Sequence, residues 1–161
     1  MSRNGSIVWS TVGKKILMAL TGLFLVGFLV GHLIGNLQLF LDNPEPFNRY
    51  APVLFSMGPL LIVIELVLIA IFMIHMVSAI SVTWANWKSR PNRYHTYKSA
   101  GATSKKTLSS STMIWTGVVL LIFLVVHIYT FKYGPGMAEG YTTTIDGEEV
   151  RDLYRLVIEE F

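Results

Sequence analysis

Three long runs of apolar residues dominate the chain, at about 16–41, 53–83 and 112–132. A helix needs about 20 apolar residues to cross the hydrocarbon core of a bilayer, so each run predicts a transmembrane span. Residues 16–41 and 113–131 carry no charge, and residues 53–83 carry one, Glu65. The first run is too long for a signal peptide, and no small-residue cleavage site follows it. The pattern predicts an all-α, multi-span transmembrane helical bundle formed by the whole chain, 1–161. Near the end, Val150, Leu153, Tyr154, Val157, Ile158 and Phe161 share one helical face. Asp146 and Glu149 resemble a capping box at its start. This run predicts either an amphipathic helix lying on the membrane or the beginning of a fourth span in a sequence cut short.

Composition agrees with a bilayer-embedded chain. Of 161 residues, 52% are hydrophobic and 14% charged, against about 25% charged in an ordinary soluble domain. There is no cysteine, which excludes disulfides, c-type haem attachment, thiolate zinc sites and iron–sulfur ligation by this chain.

Charge predicts the orientation. Arg3, Lys14 and Lys15 precede the first span, and Lys88, Arg90, Arg93, Lys98, Lys105 and Lys106 lie between the second and third, with no acid in either segment. On the other side, Asp42 and Glu45 accompany Arg49, and seven acids accompany Lys132, Arg151 and Arg155. The positive-inside rule puts the N-terminus in the cytoplasm. Trp9, Trp84, Trp87 and Trp115 fall near that inner interface, and Tyr129 and Tyr133 mark the outer one. The expected location is the cell inner (cytoplasmic) membrane.

Each span carries one histidine: His32, His75 and His127. Ionisable groups inside a bilayer are rare and face a cavity, a partner or a cofactor. One in every span points to a shared purpose, although any one imidazole could simply hydrogen-bond a neighbouring helix. At the helical rise, His32 lies roughly 25 Å from Lys15 and His127 roughly 24 Å from Ser111. His75 lies only about 14 Å from Trp84 on the inner side. His32 and His127 therefore share an outer layer, and His75 belongs to an inner one. Two neutral imidazoles suit the axial positions of a haem iron, giving a six-coordinate centre that passes electrons. By this arithmetic His32 and His127 clamp one haem. His75 has no partner at its depth in any span. Gly27, Gly31 and Gly35 recur every four residues, which serves either helix–helix contact or, beside His32, room for a porphyrin. Ser78 and Ala79 supply small residues one turn from His75. Phe123 and Phe131 flank His127, as haem packing or as plain core.

These residues resemble a known family. Leu29-Val30-Gly31-His32-Leu33-Ile34-Gly35-Asn36, Ile74-His75-Met76-Val77-Ser78-Ala79-Ile80, and the run from Ser89-Arg90-Pro91-Asn92-Arg93-Tyr94 to Val126-His127-Ile128-Tyr129-Thr130-Phe131 look like the di-haem cytochrome b membrane anchor of succinate dehydrogenases and fumarate reductases. The resemblance covers residues 12–133. It implies five helices, two b haems and four ligating histidines, with Gly31, Gly35 and Ser78 lining the cofactors. His32 and His127 would hold the outer haem, and His75 the inner one with a fourth histidine from a later helix. No such histidine is present in this sequence, so either the chain is cut before it, the favoured expectation, or the inner haem is lost. The implied partners are a flavoprotein subunit, an iron–sulfur subunit and a membrane quinone, menaquinone being favoured. The chain would pass electrons without performing the succinate chemistry, and it has no dinucleotide fingerprint or P-loop.

Glu65 either locks two helices by a hydrogen bond or handles protons near a quinone at the outer layer, roughly 28 Å from Trp84. Arg90 and Arg93 are candidates to pair with inner-haem propionates or to dock the iron–sulfur subunit. His95 reads as an ordinary surface histidine. No nucleic-acid motif accompanies the basic loop, so no nucleic-acid partner is expected. Three further readings stay open: a transporter using the intramembrane histidines and Glu65, a passive helical scaffold, which explains the glycines but not the layered histidines, and a cytochrome b of another dehydrogenase. Transporters usually show internal repeats and broken helices, which these unlike spans lack.

Overall fold

A computed structural model describes residues 10–89 and 107–160. Arg90, Arg93, His95 and Trp9 lie outside the described residues. The chain groups into two compact units, one made of the residues up to Val82 with those from Pro135 onward, the other of Thr83–Gly134.

In the first unit, helix α1 (Thr11–Asn36) starts at Ser10, whose hydroxyl accepts the Gly13 N–H at 3.0 Å. That cap satisfies a backbone donor that would otherwise lack a partner at the helix start. A short 3-10 turn, Leu37–Phe40, continues the helix. After Pro44 the chain forms a second helix, α2 (Glu45–Phe55). Helix α3 (Pro59–Lys88) begins immediately after Gly58, whose φ of +56° breaks the path between the two. Pro59 takes the first helical position, where its missing N–H costs nothing.

The second unit holds the end of α3 and helix α4 (Leu108–Tyr133). Thr107 and Ser110 form a reciprocal capping box at its start, each side chain bonding the other's backbone N–H at 3.1 and 3.0 Å. Three stretches, Val12–Phe40, Pro59–Lys88 and Leu108–Tyr133, are long and apolar enough to cross a membrane. Large apolar side chains such as Leu23, Val26, Ile62, Leu66, Val119 and Ile122 are exposed along them. A helix apolar on all sides is at home in lipid, where all its backbone bonds are made internally.

The first unit also has a polar cap. Strands β1 (Thr142–Ile145) and β2 (Glu148–Arg151) form an antiparallel hairpin, with Ile145 opposite Glu148. The two turn residues, Asp146 and Gly147, both have positive φ (55° and 85°), the geometry that Asp-Gly favours in two-residue hairpins. Helix α5 (Leu153–Glu160) follows, capped by Asp152, whose carboxylate accepts the Arg155 N–H at 3.0 Å. Phe47 of α2, Ile145 of β1 and Leu156 of α5 are buried, Leu156 completely.

Three sequence expectations are corrected here. The second span starts at Pro59, because residues 53–55 complete α2. The last segment is not one continuous helix: Val150 lies in β2 and Leu153–Glu160 is helical, while Phe161 lies outside the described residues. Asp146 and Glu149 accordingly form no capping box; Asp146 sits in the hairpin turn and Glu149 in a strand. The fold is mostly helical, with this hairpin as its one strand pairing among the described residues.

Candidate functional site

Within the first unit, α1 and α3 run antiparallel, as their side-chain bonds require. Lys14 donates from Nζ to the Ser81 hydroxyl at 2.7 Å, while seven residues further along α1 Thr21 meets His75. His75, Ser78 and Ser81 are spaced by three along one face of α3, and Ser78 is buried.

The His75 imidazole is anchored through one nitrogen. Its Nδ1 lies 3.1 Å from the Thr21 hydroxyl oxygen and 3.1 Å from the Met18 carbonyl oxygen. A carbonyl has no proton to give, so Nδ1 must carry the hydrogen in that contact. Thr21 is consistent with this, since its own hydroxyl already donates to the Leu17 carbonyl at 2.7 Å and so offers a lone pair to Nδ1. With Nδ1 protonated in the neutral ring, Nε2 holds the free lone pair. Nε2 makes no hydrogen bond among the described residues. Gly22 makes the close approach of the ring possible, for a Cβ there would come within 3.1 Å of His75 Cε1.

His32 lies in another layer. It follows Thr21 by eleven residues on α1, which is about 16 Å of helix rise from the level of His75. Its ring stacks on Phe28, one turn earlier, with centroids 5.6 Å apart and planes inclined by 14°. A Cβ built on Gly27 or Gly31 would meet nothing within 4 Å, so the helix face beside His32 is open. Gly35 differs: Tyr50 of α2 covers it, and a Cβ there would stand 3.2 Å from the ring. Asn36 donates back to the His32 carbonyl at 2.8 Å.

In the second unit, His127 has the same local arrangement on α4. Phe123 stacks on it at 5.5 Å and 25°, and Phe131 tilts against its other side at 5.0 Å. The Phe-x-x-x-His pair thus occurs on both α1 and α4. Glu65 is half-buried on α3. Among the described residues no group of three or more His, Asp or Glu side chains gathers as a conventional metal cluster.

Sequence reasoning singled out the histidines but missed Thr21, Met18, Gly22 and Phe28. Thr21 is a buried polar residue in an otherwise apolar run, and that was the available signal. No family model, curated protein or solved structure matches the chain.

Proposed function

We propose that the chain is the haem-b membrane anchor of a succinate dehydrogenase or fumarate reductase, passing electrons between an iron–sulfur subunit and a membrane quinone. The observation that carries this reading is His75: an imidazole within an apolar span, fixed through Nδ1, with a bare Nε2. Metal-ligating histidines almost always donate their other ring N–H to a carbonyl, a carboxylate or water. The residues fit a haem in chemistry, with imidazole nitrogen donors, aromatic rings against His32 and His127, and an open face at Gly27 and Gly31. Bound haem supplies reversible one-electron transfer.

By their depth in the sequence, His32 and His127 would hold an outer haem. His75, at the inner level, would hold a second haem through Nε2. The basic side, including the N-terminus, faces the cytoplasm, in the inner membrane. There Arg90 and Arg93 meet the iron–sulfur subunit or haem propionates, and the flavoprotein subunit completes the complex. Glu65 handles protons at the outer layer, with menaquinone the favoured quinone. Glu65→Gln then slows quinone turnover, and unchanged turnover removes that role.

The test uses native membranes containing the affinity-tagged chain. A flavoprotein and an iron–sulfur protein should co-purify with it, and succinate should reduce its low-spin b-type absorption bands. A haem-containing chain that purifies alone and ignores succinate would point to a cytochrome b serving another dehydrogenase.

A further inference from the structure

The His75 ring on α3 is contacted by α1, and those contacts choose between its two nitrogens. We propose that Thr21 is a positioning residue for His75: together with the Met18 carbonyl it holds the imidazole in the Nδ1–H form and so makes Nε2 the nitrogen available to a metal. The proposal rests on the haem reading for the identity of the metal, but the tautomer itself does not.

Three contacts act together. The Met18 carbonyl accepts from Nδ1–H at 3.1 Å. The Thr21 oxygen accepts from the same hydrogen at 3.1 Å, its own proton being committed to Leu17 at 2.7 Å. Gly22 leaves the Cε1 edge of the ring seated against α1, within 3.1 Å of where a Cβ would stand. The Nδ1–Cε1 side is therefore turned to α1, and Nε2, across the ring from Cγ, is left for a ligand. Two acceptors sharing one N–H also raise the electron density on the imidazole, which strengthens it as a donor to iron. A threonine whose hydroxyl merely closed a bond to its own helix would not need to be within reach of Nδ1.

The experiment compares wild type with Thr21→Val, which keeps the shape and removes the hydroxyl, and with Thr21→Ser, which restores it. Nitrogen-15 NMR of the histidine-labelled, detergent-solubilised, haem-free chain reads the tautomer, with His75 assigned by its loss in His75→Gln. We expect Nδ1–H in the wild type, a smaller Nδ1–H population in Thr21→Val and recovery in Thr21→Ser. Haem titration should show about 10- to 100-fold weaker retention at the His75 site in Thr21→Val, again recovered by serine, with the other haem unchanged. A wild-type Nε2–H tautomer, or a valine variant identical to wild type in both readouts, overturns the proposal. Absence of haem from a folded wild-type chain counts against the haem reading alone, and the tautomer measurement still decides the role of Thr21.

Discussion

Two regions of the first unit are held together in contrasting ways. Between α1 and α3, Lys14 bonds Ser81 and Thr21 with Met18 holds His75, while apolar side chains are exposed along both helices. In the cap of α2, the hairpin and α5, a small closed core is fastened by polar contacts at its edge. Asn48, only 2% exposed, donates to Asp152 at 2.8 Å and accepts the Tyr154 N–H at 2.8 Å, tying α2 to the start of α5. Arg49 bonds Asp146 in the hairpin turn and Glu45 on its own helix. The difference fits the composition of each region, since the long apolar helices could cross a membrane and the cap is rich in polar and charged side chains. Lipid leaves apolar side chains at no disadvantage, so bonds between spans can be reserved for placing a chemical group. Water makes the cap dependent on the apolar area that it can bury.

The contrast can be broken most severely at Leu156. Leu156→Ala empties the centre of the cap and should cost about 2–5 kcal/mol, read as lost hydrogen-exchange protection in β1, β2 and α5. Amides in the middle of α1 and α3 should keep theirs. Equal loss in both regions would mean that the two are not separately stabilised. Asn48→Ala comes next, at about 1–3 kcal/mol, because the Tyr154 N–H and the Asp152 carboxylate both lose a buried partner. Its effect should likewise stop at the cap.

On the other side of the comparison, Ser81→Ala removes an acceptor of Lys14 and should cost about 0.5–1.5 kcal/mol. Thermal unfolding in detergent should register that change while leaving the exchange of cap amides alone. The smallest effect concerns pH. The Arg49 guanidinium holds the Asp146 carboxyl below its ordinary value of 3.8, and hydrogen bonds from Tyr141 and Arg155 lower Glu159 in the same direction. A carboxyl depressed in the folded state contributes stability above its unfolded pKa, and that contribution is lost as the pH falls from there through the folded value. The cap should therefore loosen below about pH 4, and Asp146→Asn should flatten that part of its acid profile. Both groups are exposed, so the change is small and weakens further with salt.

The spans were legible because uninterrupted apolar length is a strong signal, and local caps moved several of their limits. Ser10 draws α1 back to Thr11, and Gly58 with Pro59 separates α2 from α3. The cap was less legible because a helical period ran through it. Val150 fits the spacing of Leu153, Tyr154 and Val157, yet it lies in a strand because Asp146-Gly147 turns the chain and three threonines in β1 favour extended backbone. That Asp-Gly pair was the sequence signal for the hairpin. At the site, an ionisable side chain in a span is conspicuous, so the histidines could be read directly. Thr21 could not, since its meaning comes from the antiparallel register that sets it against His75 54 positions later. Gly35 shows the same dependence on distant partners: spacing alone grouped it with Gly31, but Tyr50 covers it and leaves Gly31 open.

The most direct test of the central claim is a dithionite-reduced minus oxidised absorption spectrum of the detergent-purified protein, recorded beside His32→Ala, His127→Ala and His75→Ala. The account predicts low-spin b-type bands, with the same component lost in the His32 and His127 variants and a different one in the His75 variant. A folded wild-type protein with no haem bands, or variants whose spectra all match it, would contradict the assignment of these histidines as axial ligands.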